Sequence, residues 1–330
     1  MVHYYYYLYE ITKHYYTGDY PMNIKDLEYF HKLVSEKNFS KVAEFFSVSQ
    51  PTVTLAIKRL EDMYETEFFI RDRSHKELIV TDSGRQFDEH VALILNELKI
   101  AEKEIEHTKK DRFFFGLPPI IGNYFFPNIV SKLISTGLIN QLETKEGGSK
   151  ELLNLLLDGT IDFCLLGSLS PLDRTELAVE TFAYSSFKVI VSKDHPLASK
   201  KAVYFSELKN ERFIVLNEGF IHDKALKLLA KNAHFHPDIV YHTNYAHVLK
   251  SMVKNNTGIA CLADIALEEN DSLAILDILD DDQPQFLLSI VTRTTQIMTP
   301  AKEQLLSLLH ETVYDQVARS NIATQLKNDN

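Results

Sequence analysis

The stretch NFSKVAEFFSVSQPTVTLAIKRLE, residues 38–61, predicts two short helices joined by a tight turn. Ser40 is a suitable N-cap for a first helix over Lys41–Phe46, since a serine hydroxyl accepts a hydrogen bond from a free first-turn N–H. Ser49 then caps a second helix. Pro51 is tolerated there because the first turn of a helix has no intrahelical N–H bond to lose.

The second helix has two contrasting faces. Its apolar residues recur at i, i+4, i+7 and i+11, as in a buried stripe: Val53, Ile57, Leu60 and Tyr64. Its other face carries Gln50, Thr52, Thr54, Leu55, Lys58 and Arg59. That face is small and polar near the N-terminus and cationic further on, which suits a helix that reads bases in a major groove. The pattern alone fits an ordinary amphipathic helix pair equally well.

The segment EFFIRDRSHKELIVT, residues 67–81, favours the DNA-binding interpretation. It contains two β-prone runs, Phe68–Arg71 and Glu77–Val80, separated by a polar and partly basic turn at Asp72–Lys76. Such a hairpin is a wing beside a helix-turn-helix, where it can touch the flanking DNA backbone or the minor groove.

Residues 22–82 resemble the winged helix-turn-helix of the LysR-type transcriptional regulators. The resemblance rests on the helix pair, the FFIRD that follows it, and ELIVTDSGRQF leading into the next helix. The core SVSQPTV…I..LE is highly specific to that family. The predicted DNA-binding residues are Ser40, Ser49, Gln50, Pro51, Thr52, Thr54, Leu55, Lys58, Arg59, Arg71, Arg73 and Lys76.

Within this set, the early residues of the second helix are expected to address bases, and the serines and basic residues to address phosphates. Two positions depart from the commonest family pattern, because Leu55 and Ala56 stand where longer polar residues are frequent. We interpret them as residues that meet thymine methyl groups instead of hydrogen-bonding bases.

Composition indicates a soluble globular protein. A chain of 330 residues is long enough for two or three domains with full cores. It is 45% hydrophobic and 25% charged, and no apolar run approaches the roughly 18 residues of a membrane span. The two cysteines, Cys164 and Cys261, each lie within an apolar run. They are expected to be buried thiols in a reducing cytoplasm.

The formal net charge of −11 is unevenly distributed. Residues 22–80 hold nine basic and ten acidic residues, whereas residues 81–330 hold 25 basic and 34 acidic residues. The proposed DNA-binding module is therefore not basic overall. Its affinity must come from cations gathered on one face, and we expect a modest salt dependence.

Residues 1–21 hold eight of the sixteen tyrosines, and they do not follow the pattern of a secretory signal. The family pattern begins near Met22. We expect a poorly ordered extension that an upstream start codon would explain.

A long helix is predicted after the wing. Asn23–Glu36 forms the first helix of the DNA-binding domain, and Asp82 or Ser83 begins another that runs to about Thr108. Its apolar residues recur every three or four positions: Phe87, Val91, Ile94, Leu98, Ala101 and Ile105. This is the seam of a coiled coil, and the alternative is a helix that packs on its own domain. The resemblance implies a dimerisation helix.

From Arg112 onward, predicted strands and helices alternate. The strands are Phe113–Leu117, Ile161–Leu166, Lys188–Ser192, Phe213–Leu216, Ile239–Tyr241, Gly258–Leu262 and Leu287–Thr292. The helices are Asn123–Leu133, Glu151–Leu157, Asp223–Asn232, Ala246–Lys254 and Thr299–Val317. The alternation predicts parallel sheets covered on both faces. The chain is expected to cross to a second subdomain near Phe182–Val191 and to return near Asp264–Ile278.

The predicted fold class is α/β with a helix-rich N-terminal winged helix-turn-helix domain at residues 22–81. A linker and dimerisation helix follows at residues 82–110. The resemblance then implies a two-lobed effector domain, similar to periplasmic binding proteins, at residues 111–318. Residues 319–330 form a C-terminal tail. The effector domain is supported by the motifs DFCLLGS, KDHPLA and NNTGIACLAD. These motifs are less specific to the family than the signature of the DNA-binding domain.

Ligands of open α/β sheets bind at the carboxyl ends of strands, where free backbone N–H groups of helix N-termini favour an anion. The predicted effector-binding residues are Pro119, Ile120, Ile121, Gly122, Ser168, Asn217, Phe220, His222, Asn244 and Ile259. Pro118 and Ile120 stand where the family commonly has Ser or Thr, so those hydroxyl contacts cannot be carried over. A role as hydrogen-bonded turn residues is an equal alternative for Ser168 and Asn217.

The run LPPIIGNYFFP and the wing RDRSHKEL are similar to regulators of malolactic fermentation genes within this family. The similarity implies L-malate, or a related small carboxylate, as the effector.

Enzyme and metal interpretations find little support in the motifs. His234 and His236 suggest a metal pair, but no cysteine or carboxylate completes a zinc-like set at a recognised spacing. There is no G-x-S-x-G elbow, Walker A loop or G-x-G-x-x-G after a strand. We therefore expect no metal, no cofactor and no catalysis. An α/β enzyme fused to a DNA-binding domain is the main alternative.

The sequence thus predicts a cytoplasmic bacterial transcription regulator that does not enter a membrane. Its expected partners are double-stranded promoter DNA, a small anionic metabolite, and a second copy of the chain in a homodimer or homotetramer. RNA polymerase is a further candidate partner.

Overall fold

The structure, a computed structural model, describes residues 23–71 and 78–319. The predicted N-terminal extension and the tail beyond Arg319 lie outside the described residues. So does the whole wing turn, Asp72–Lys76, including Arg73 and Lys76. The chain divides after Glu102 into two compact units.

The first unit contains the predicted helix-turn-helix and wing. Its elements are α1 (Ile24–Glu36), α2 (Phe39–Phe45), α3 (Gln50–Met63), β1 (Phe69–Arg71) and β2 (Leu78–Val80). The two strands pair antiparallel, as a wing requires. One boundary prediction is wrong, because Asn38 and not Ser40 is the N-cap of α2. The Asn38 side chain accepts hydrogen bonds from the amides of Ser40 and Lys41 at 2.9 and 3.1 Å, which leaves Ser40 inside the first turn.

Aromatic rings hold this unit together. Phe30 of α1 packs edge-on against Phe68 and Phe87, with ring centroids 5.2 and 5.0 Å away. Phe68 and Phe87 in turn stack at 4.7 Å. Because Phe87 belongs to the following helix, α4 (Asp82–Lys109), the start of that helix is part of the core of the DNA-binding domain.

The residues of the predicted apolar seam of α4 differ in how deeply they are buried. Phe87 and Val91 pack into the core of the first unit. Further on, Ile94, Leu98 and Ile105 are 44%, 37% and 55% exposed. The first turns therefore match the interpretation of a helix that packs on its own domain. The later turns leave an apolar face uncovered, which is the property expected of a dimerisation helix.

The second unit alternates strands and helices. Its strands are β3 (Phe113–Leu117), β4 (Leu142–Glu146), β5 (Phe163–Ser168), β6 (Leu177–Ser192), β7 (Ala202–Val203), β8 (Arg212–Leu216), β9 (Asp238–Thr243), β10 (Ala260–Ala263), β11 (Leu273–Ile278) and β12 (Gln285–Arg293). Its helices are α5 (Pro119–Thr136), α6 (Ser149–Leu157), α7 (Ile221–Asn232), α8 (Ala246–Lys254) and α9 (Pro300–Ala318). Each predicted element is present. Most ends differ by no more than a few residues, but the strand predicted at Lys188–Ser192 begins much earlier, at Leu177.

Two lobes are built on one shared strand. The strand order β4-β3-β5-β12-β6 forms the first lobe, and β6 continues into the second lobe, where it pairs with β10 and β11. β11 pairs with β7, and β8 pairs with β9. Only β3–β4, β3–β5, β8–β9 and β7–β11 are parallel among the paired strands of this unit. The expectation of wholly parallel sheets is wrong, because the long crossing strands run antiparallel to their neighbours.

The chain crosses from the first lobe to the second where the sequence predicts it. It returns to the first lobe at a different place from the predicted one. β6 is 16 residues long and passes from one lobe to the other, which confirms the crossing near Phe182–Val191. Residues 273–278, expected to return, instead form β11 within the second lobe. The return is made by β12, which pairs with β6 and β5. No helix in residues 23–71 and 78–319 has the length and apolarity that crossing a membrane requires.

Three helices begin earlier than predicted. Helix α5 starts at Pro119 instead of Asn123, α6 starts at Ser149, and α7 starts at Ile221. Proline at N1 is favoured because its fixed φ suits the first helical turn. The stretch Pro119–Gly122 is therefore the first turn of a helix and not a loop on the rim of the sheet.

A cluster of buried charges lies where the end of α4 meets the first lobe. Asp162 is fully buried, and its carboxylate accepts hydrogen bonds from the Lys302 ammonium at 2.7 Å and the Phe114 amide at 2.8 Å. The His107 ring of α4 lies 3.6 Å away. Burial alone would raise the pKa of Asp162, but His107 and Lys302 outweigh it and hold that pKa below its ordinary value.

A second ion pair also joins the end of α4 to the first lobe. The Arg293 guanidinium, at the end of β12, donates to Glu104 of α4 at 2.6 Å and to the carbonyl oxygens of Leu156 and Ile161. Arg293 is only 3% exposed. The last turns of α4 are therefore attached to the second unit through desolvated charges.

The two cysteines are buried and unpaired, as expected. Burial raises the pKa of Cys261 to about 12 and raises that of Cys164 as well. Both thiols are therefore protonated at neutral pH.

The Asp162 cluster gives the first prediction. Lys302→Met should lower the free energy of unfolding at neutral pH by about 3 kcal/mol, because it leaves a buried carboxylate without its cation. Since the folded-state pKa of Asp162 is lowered, the stabilisation exists above the unfolded-state pKa and is lost as pH falls through the folded-state value. The difference between variant and wild type, measured by urea unfolding, should therefore shrink in acid.

Lys110→Met is the matched control, because Lys110 pairs with Glu106 on the exposed surface of α4. It should change stability by no more than about 0.5 kcal/mol. Equal small losses in both variants would show that Lys302 does not compensate a buried charge.

Candidate functional site

Helix α3 presents most of the predicted base-reading residues to solvent. Its exposed residues include Gln50, Pro51, Thr52, Thr54, Leu55 and Lys58. Leu55 is 57% exposed, whereas Ala56 is fully buried. The interpretation of Ala56 as a thymine contact is therefore wrong, because Ala56 lies three residues after the buried Val53 and faces the core.

Local hydrogen bonds shape the start of this helix. The Ser49 hydroxyl accepts from the Thr52 amide at 3.4 Å, which confirms the predicted N-cap. The Thr54 hydroxyl donates to the Gln50 carbonyl oxygen at 3.1 Å. Gln50 is exposed, and its carboxamide, which offers a donor and an acceptor side by side, suits bidentate contact with adenine.

The two neighbouring cations of α3 differ in what they contact. Arg59 donates to both carboxylate oxygens of Asp26, at 2.9 and 2.5 Å, and Asp26 is buried. Its guanidinium therefore ties α3 to α1, and only part of it remains for a phosphate. Lys58 is exposed and forms no ion pair with another described residue. Of the two, Lys58 is therefore the cation that no described carboxylate engages, as the predicted phosphate contact requires.

The remaining predicted phosphate contacts lie around α3. Ser40 and Ser49 are exposed near the N-termini of α2 and α3. Arg71 is the last residue of β1, and its side chain is outside the described part, as are Arg73 and Lys76.

A small cavity lies between the two lobes of the second unit. It is lined by Pro118, Ile120, Ile121, Ser149, Phe220, Ile221, His222 and Phe286. Its volume is about 10 Å³, which is room for about one water molecule. Among the predicted effector-binding residues, Ile120, Ile121, Phe220 and His222 meet there. The lining contains no Lys, Arg, Asp or Glu.

Three helix N-termini converge on this cavity. The N-caps are Pro118 for α5, Gly148 for α6 and Phe220 for α7, and none of them makes a side-chain capping bond. By contrast, α1, α2, α3 and α9 are each capped by an Asn, Ser or Thr side chain. First-turn N–H groups have no intrahelical partner, and the helix dipole adds positive potential. The cavity is therefore surrounded by groups that attract an anion without any charged side chain.

His222 is the polar side chain at the centre of this arrangement. It is 4% exposed and lies between the rings of Phe187 and Phe286, with centroids 5.6 and 5.3 Å away. Its Nε2 has no hydrogen-bond partner among the described residues. Burial lowers the pKa of His222 to about 3, so the ring is neutral at physiological pH.

Ser149 supplies the other hydroxyl at the cavity. Its Oγ accepts a hydrogen bond from the Gly167 amide at 3.1 Å, so its proton is free to be donated. Gly167 also makes room for Phe286, because an added Cβ would lie 2.1 Å from that ring.

Two glycines let the lobes touch beside the cavity. A Cβ on Gly148 of the first lobe would lie 2.8 Å from the carbonyl oxygen of Gly219 in the second lobe. Gly219 itself has a φ of 102°, which L side chains rarely adopt. This close approach explains why the cavity is so small.

The other predicted effector residues lie elsewhere. Pro119, Gly122, Ser168, Asn217, Asn244 and Ile259 are not part of the lining. The Asn217 side-chain amide donates a hydrogen bond to Oδ1 of Asn244 at 2.7 Å, so these two side chains contact each other. Ile259 is fully buried and bonds through its backbone to Arg212 and Ile214.

Sequence reasoning missed Ser149, Ile221 and Phe286. The one local signal is the Gly147-Gly148 pair that precedes Ser149. The histidines raised as a metal pair do not form such a site, because no group of three or more His, Cys, Asp or Glu in the described ranges has metal-binding geometry.

Comparison with known families identifies both units. Residues 24–85 match the family described as "Bacterial regulatory helix-turn-helix protein, lysR family", and residues 107–313 match "LysR substrate binding domain". The chain belongs to the LysR family of DNA-binding transcriptional regulators. This confirms the resemblance inferred from residues 22–82. These regulators are not enzymes, so the alternative of a fused α/β enzyme is not supported.

Relatives within the LysR family align over most of the chain. The malolactic fermentation system transcriptional activator of Lactococcus lactis subsp. lactis is 36% identical over 87% of this chain and 98% of its own length. The hydrogen peroxide-inducible genes activator of Pectobacterium carotovorum is 26% identical over 88% of this chain and 96% of its own length.

Solved structures of LysR-family proteins share the fold. A full-length OxyR from Pseudomonas aeruginosa has a TM-score of 0.52 and 19% identity, covering 94% of this chain and 100% of its own. The regulatory domain of CcmR from Synechocystis has a TM-score of 0.54 and 19% identity, covering 61% of this chain and 97% of its own. They confirm the helix-turn-helix and two-lobed α/β architecture.

The two cations of α3 give a paired prediction. Lys58→Ala should weaken binding to all duplexes alike and reduce the slope of log affinity against log salt by about one unit, without changing thermal stability. Arg59→Ala should also lower the melting temperature, because Asp26 would lose the guanidinium that compensates it. Fluorescence anisotropy at several salt concentrations and thermal unfolding of each variant separate the two effects. An unchanged salt slope for Lys58→Ala would remove Lys58 from the phosphate contacts.

The close approach of Gly148 to the other lobe gives a further prediction, about stability. Gly148→Ala should lower the free energy of unfolding by about 1–3 kcal/mol, because its Cβ meets the backbone of the other lobe. Gly122→Ala is the control, since its Cβ would only contact Leu117 at 3.5 Å and helical alanine is favoured over glycine by about 0.5–1 kcal/mol. Urea unfolding measures both. A neutral Gly148→Ala would show that the lobes do not touch there.

Proposed function

We propose that this LysR-family regulator binds promoter DNA as a dimer or tetramer, and that a small carboxylate held between its two lobes modulates that binding. The observation that carries the proposal is the convergence of three uncapped helix N-termini and an unpartnered histidine on one cavity. L-malate is the first candidate effector.

The chemistry of the cavity favours a small carboxylate. Backbone N–H groups at helix N-termini bind carboxylate and phosphate groups well. The side chains of Ile120, Ile121 and Phe286 supply apolar walls, which suit the carbon skeleton of an organic acid. Since no charged side chain lines the cavity, a large or highly charged anion would lack compensation there.

The name of one relative favours a particular carboxylate as the effector. The regulator from Lactococcus lactis, which is 36% identical, is named as the activator of the malolactic fermentation system. That system acts on malate, a small dicarboxylate that matches the chemistry of the cavity. This relative supports the hypothesis, drawn from the wing and from LPPIIGNYFFP, that L-malate or a related small carboxylate is the effector.

Binding of any such molecule requires the lobes to move. The cavity holds about one water molecule, and Gly148 and Gly219 already touch. An effector must therefore favour a more open arrangement of the lobes than the one seen here. A ligand shifts a conformational equilibrium only through such differential affinity. By linkage, the factor by which the effector changes DNA affinity equals the factor by which DNA changes effector affinity.

The exposed apolar residues of α4 support a proposal for the assembly state. Its exposed apolar residues Ile94, Leu98 and Ile105 lie on the predicted seam, and a second copy would bury them. A symmetric dimer would also place two recognition helices about 34 Å apart, as successive major grooves require. We propose a cytoplasmic homodimer or homotetramer, with RNA polymerase as a further partner at the promoter.

The test is fluorescence anisotropy of the full chain on the promoter upstream of its own gene and on a scrambled duplex at fixed salt, with and without L-malate. We expect specific binding that malate alters. Gln50→Ala should relax the preference for the promoter while the protein stays folded, because each bidentate base contact contributes about 1–3 kcal/mol of discrimination.

Two results would contradict parts of the proposal. Specific binding that is indifferent to malate would exclude malate and keep the regulator. Equal loss on specific and scrambled duplexes in Gln50→Ala would exclude a base-reading role for Gln50. Failure to bind its own promoter, neighbouring promoters or scrambled DNA would overturn the function itself.

A further inference from the structure

His222, which lines the cavity between the lobes, carries a buried nitrogen without a hydrogen-bond partner among the described residues. Several buried side-chain polar atoms lack a partner among the described residues, and His222 Nε2 is the one whose residue lines the cavity. The contacts with Phe187 and Phe286 hold the ring in place. An unsatisfied buried nitrogen destabilises the folded protein, and a ligand that bonds to it would recover that free energy.

The surroundings of His222 provide no cation for a carboxylate. The other lining residues come from α5, α6, α7 and β12, and none of them titrates near neutral pH. A carboxylate that enters this cavity is desolvated, and its charge would be only partly balanced by the helix N-termini. A proton on the imidazole would complete the balance and would convert Nε2 into a charge-assisted donor.

We infer that His222 takes up a proton when the cleft binds its anionic effector, so that effector affinity increases as pH falls. The inference rests on the proposed function, because it requires that an anion binds in this cavity. It makes His222 the residue that selects for negative charge and links the regulator to the acidity of its surroundings.

Other ionisable groups near α7 do not provide this proton linkage. Asp223, the next residue, accepts from Lys227 at 2.8 Å, and Lys227 also lies 3.6 Å from Glu218. The elements packed on α7 contribute Cys261 from β10, Arg212 from β8 and Glu207 from the short 3-10 helix at residues 205–208. These three are, in order, a protonated thiol, an exposed guanidinium and an exposed carboxylate paired with Lys200. β6, whose Phe187 contacts the His222 ring, contributes Lys188, which pairs with Asp277.

The sign of the pH dependence follows from linkage. In the free protein the pKa of His222 is lowered to about 3, so the ring carries no proton at neutral pH. A bound anion favours the charged ring and raises that pKa. Affinity should then rise by up to about tenfold per pH unit between the bound-state and free-state pKa values, and it should be flat above the bound-state pKa.

The test is isothermal titration calorimetry of the full chain with L-malate between about pH 6 and pH 8, where ordinary carboxyl groups are ionised. Repeating each titration in two buffers of different ionisation enthalpy gives the number of protons taken up. We expect at least about half a proton per malate near pH 6 and tighter binding there than at pH 8. His222→Gln should abolish both effects, whereas His242→Gln, on the exposed part of β9, should retain them.

A measurement on the wild type guards against a variant that fails to fold. Ring-nitrogen NMR shifts of His222 should change from the neutral to the imidazolium pattern when malate is added. Malate binding with a neutral His222, or proton uptake that persists in His222→Gln, would overturn this inference alone. The absence of malate binding to the wild type would overturn the proposed effector and this inference together.

Discussion

The effector unit depends on one long strand, β6, that both lobes share. β6 pairs with β12 of the first lobe from Leu177 to Ser186, and the remainder of β6 pairs with β10 and β11 of the second lobe. The lobes therefore cannot separate as independent bodies, and their relative motion must be a rotation or bending about this strand. The cavity lies at the same crossing, because Phe286 near the start of β12 forms one of its walls. Gly167 on the neighbouring strand leaves the space that this ring fills. A strand, and not a mobile loop, thus fixes part of the proposed effector site.

Charged side chains are concentrated where α4 meets the first lobe, and they are absent from the lining of the cavity between the lobes. Where α4 meets the first lobe, Asp162 pairs with Lys302 and Arg293 pairs with Glu104, all largely removed from water. The cavity has no charged side chain in its lining. This difference has a physical reason. A lysine or arginine in a closed cleft would need its own acidic partner whenever the effector was absent, and the effector would then compete with that partner. Helix N-termini and a neutral histidine have no counter-ion to displace, so they leave the empty cleft stable and still attract an anion.

The sequence was informative where local patterns decide the structure. β3 and α8 have the predicted bounds, and the helix pair with its wing is present, because periodicity and caps are local signals. β4 was missed because it is short and its last residues are exposed, and the antiparallel pairing of β11 with β6 depends on residues far apart in the chain. The site shows the same division. His222 and Phe220 follow from their place after a strand, whereas Phe286 reaches the cavity only through the crossing. Asn217, Asn244 and Arg59 looked available in the sequence, but partners within the chain engage all three.

Helix α4 contributes residues to both compact units. Its start packs in the first unit, where Gly84 approaches Phe68 so closely that a Cβ would lie 2.5 Å from the carbonyl oxygen. Its last turns are held within the second unit by the contacts of Glu104 with Arg293 and of His107 with Asp162. Between these two anchors, Ile94 and Leu98 are exposed, because neither anchor covers that part of the helix. A dimer seam of the kind proposed above would therefore use the apolar face of α4 that the chain itself leaves uncovered.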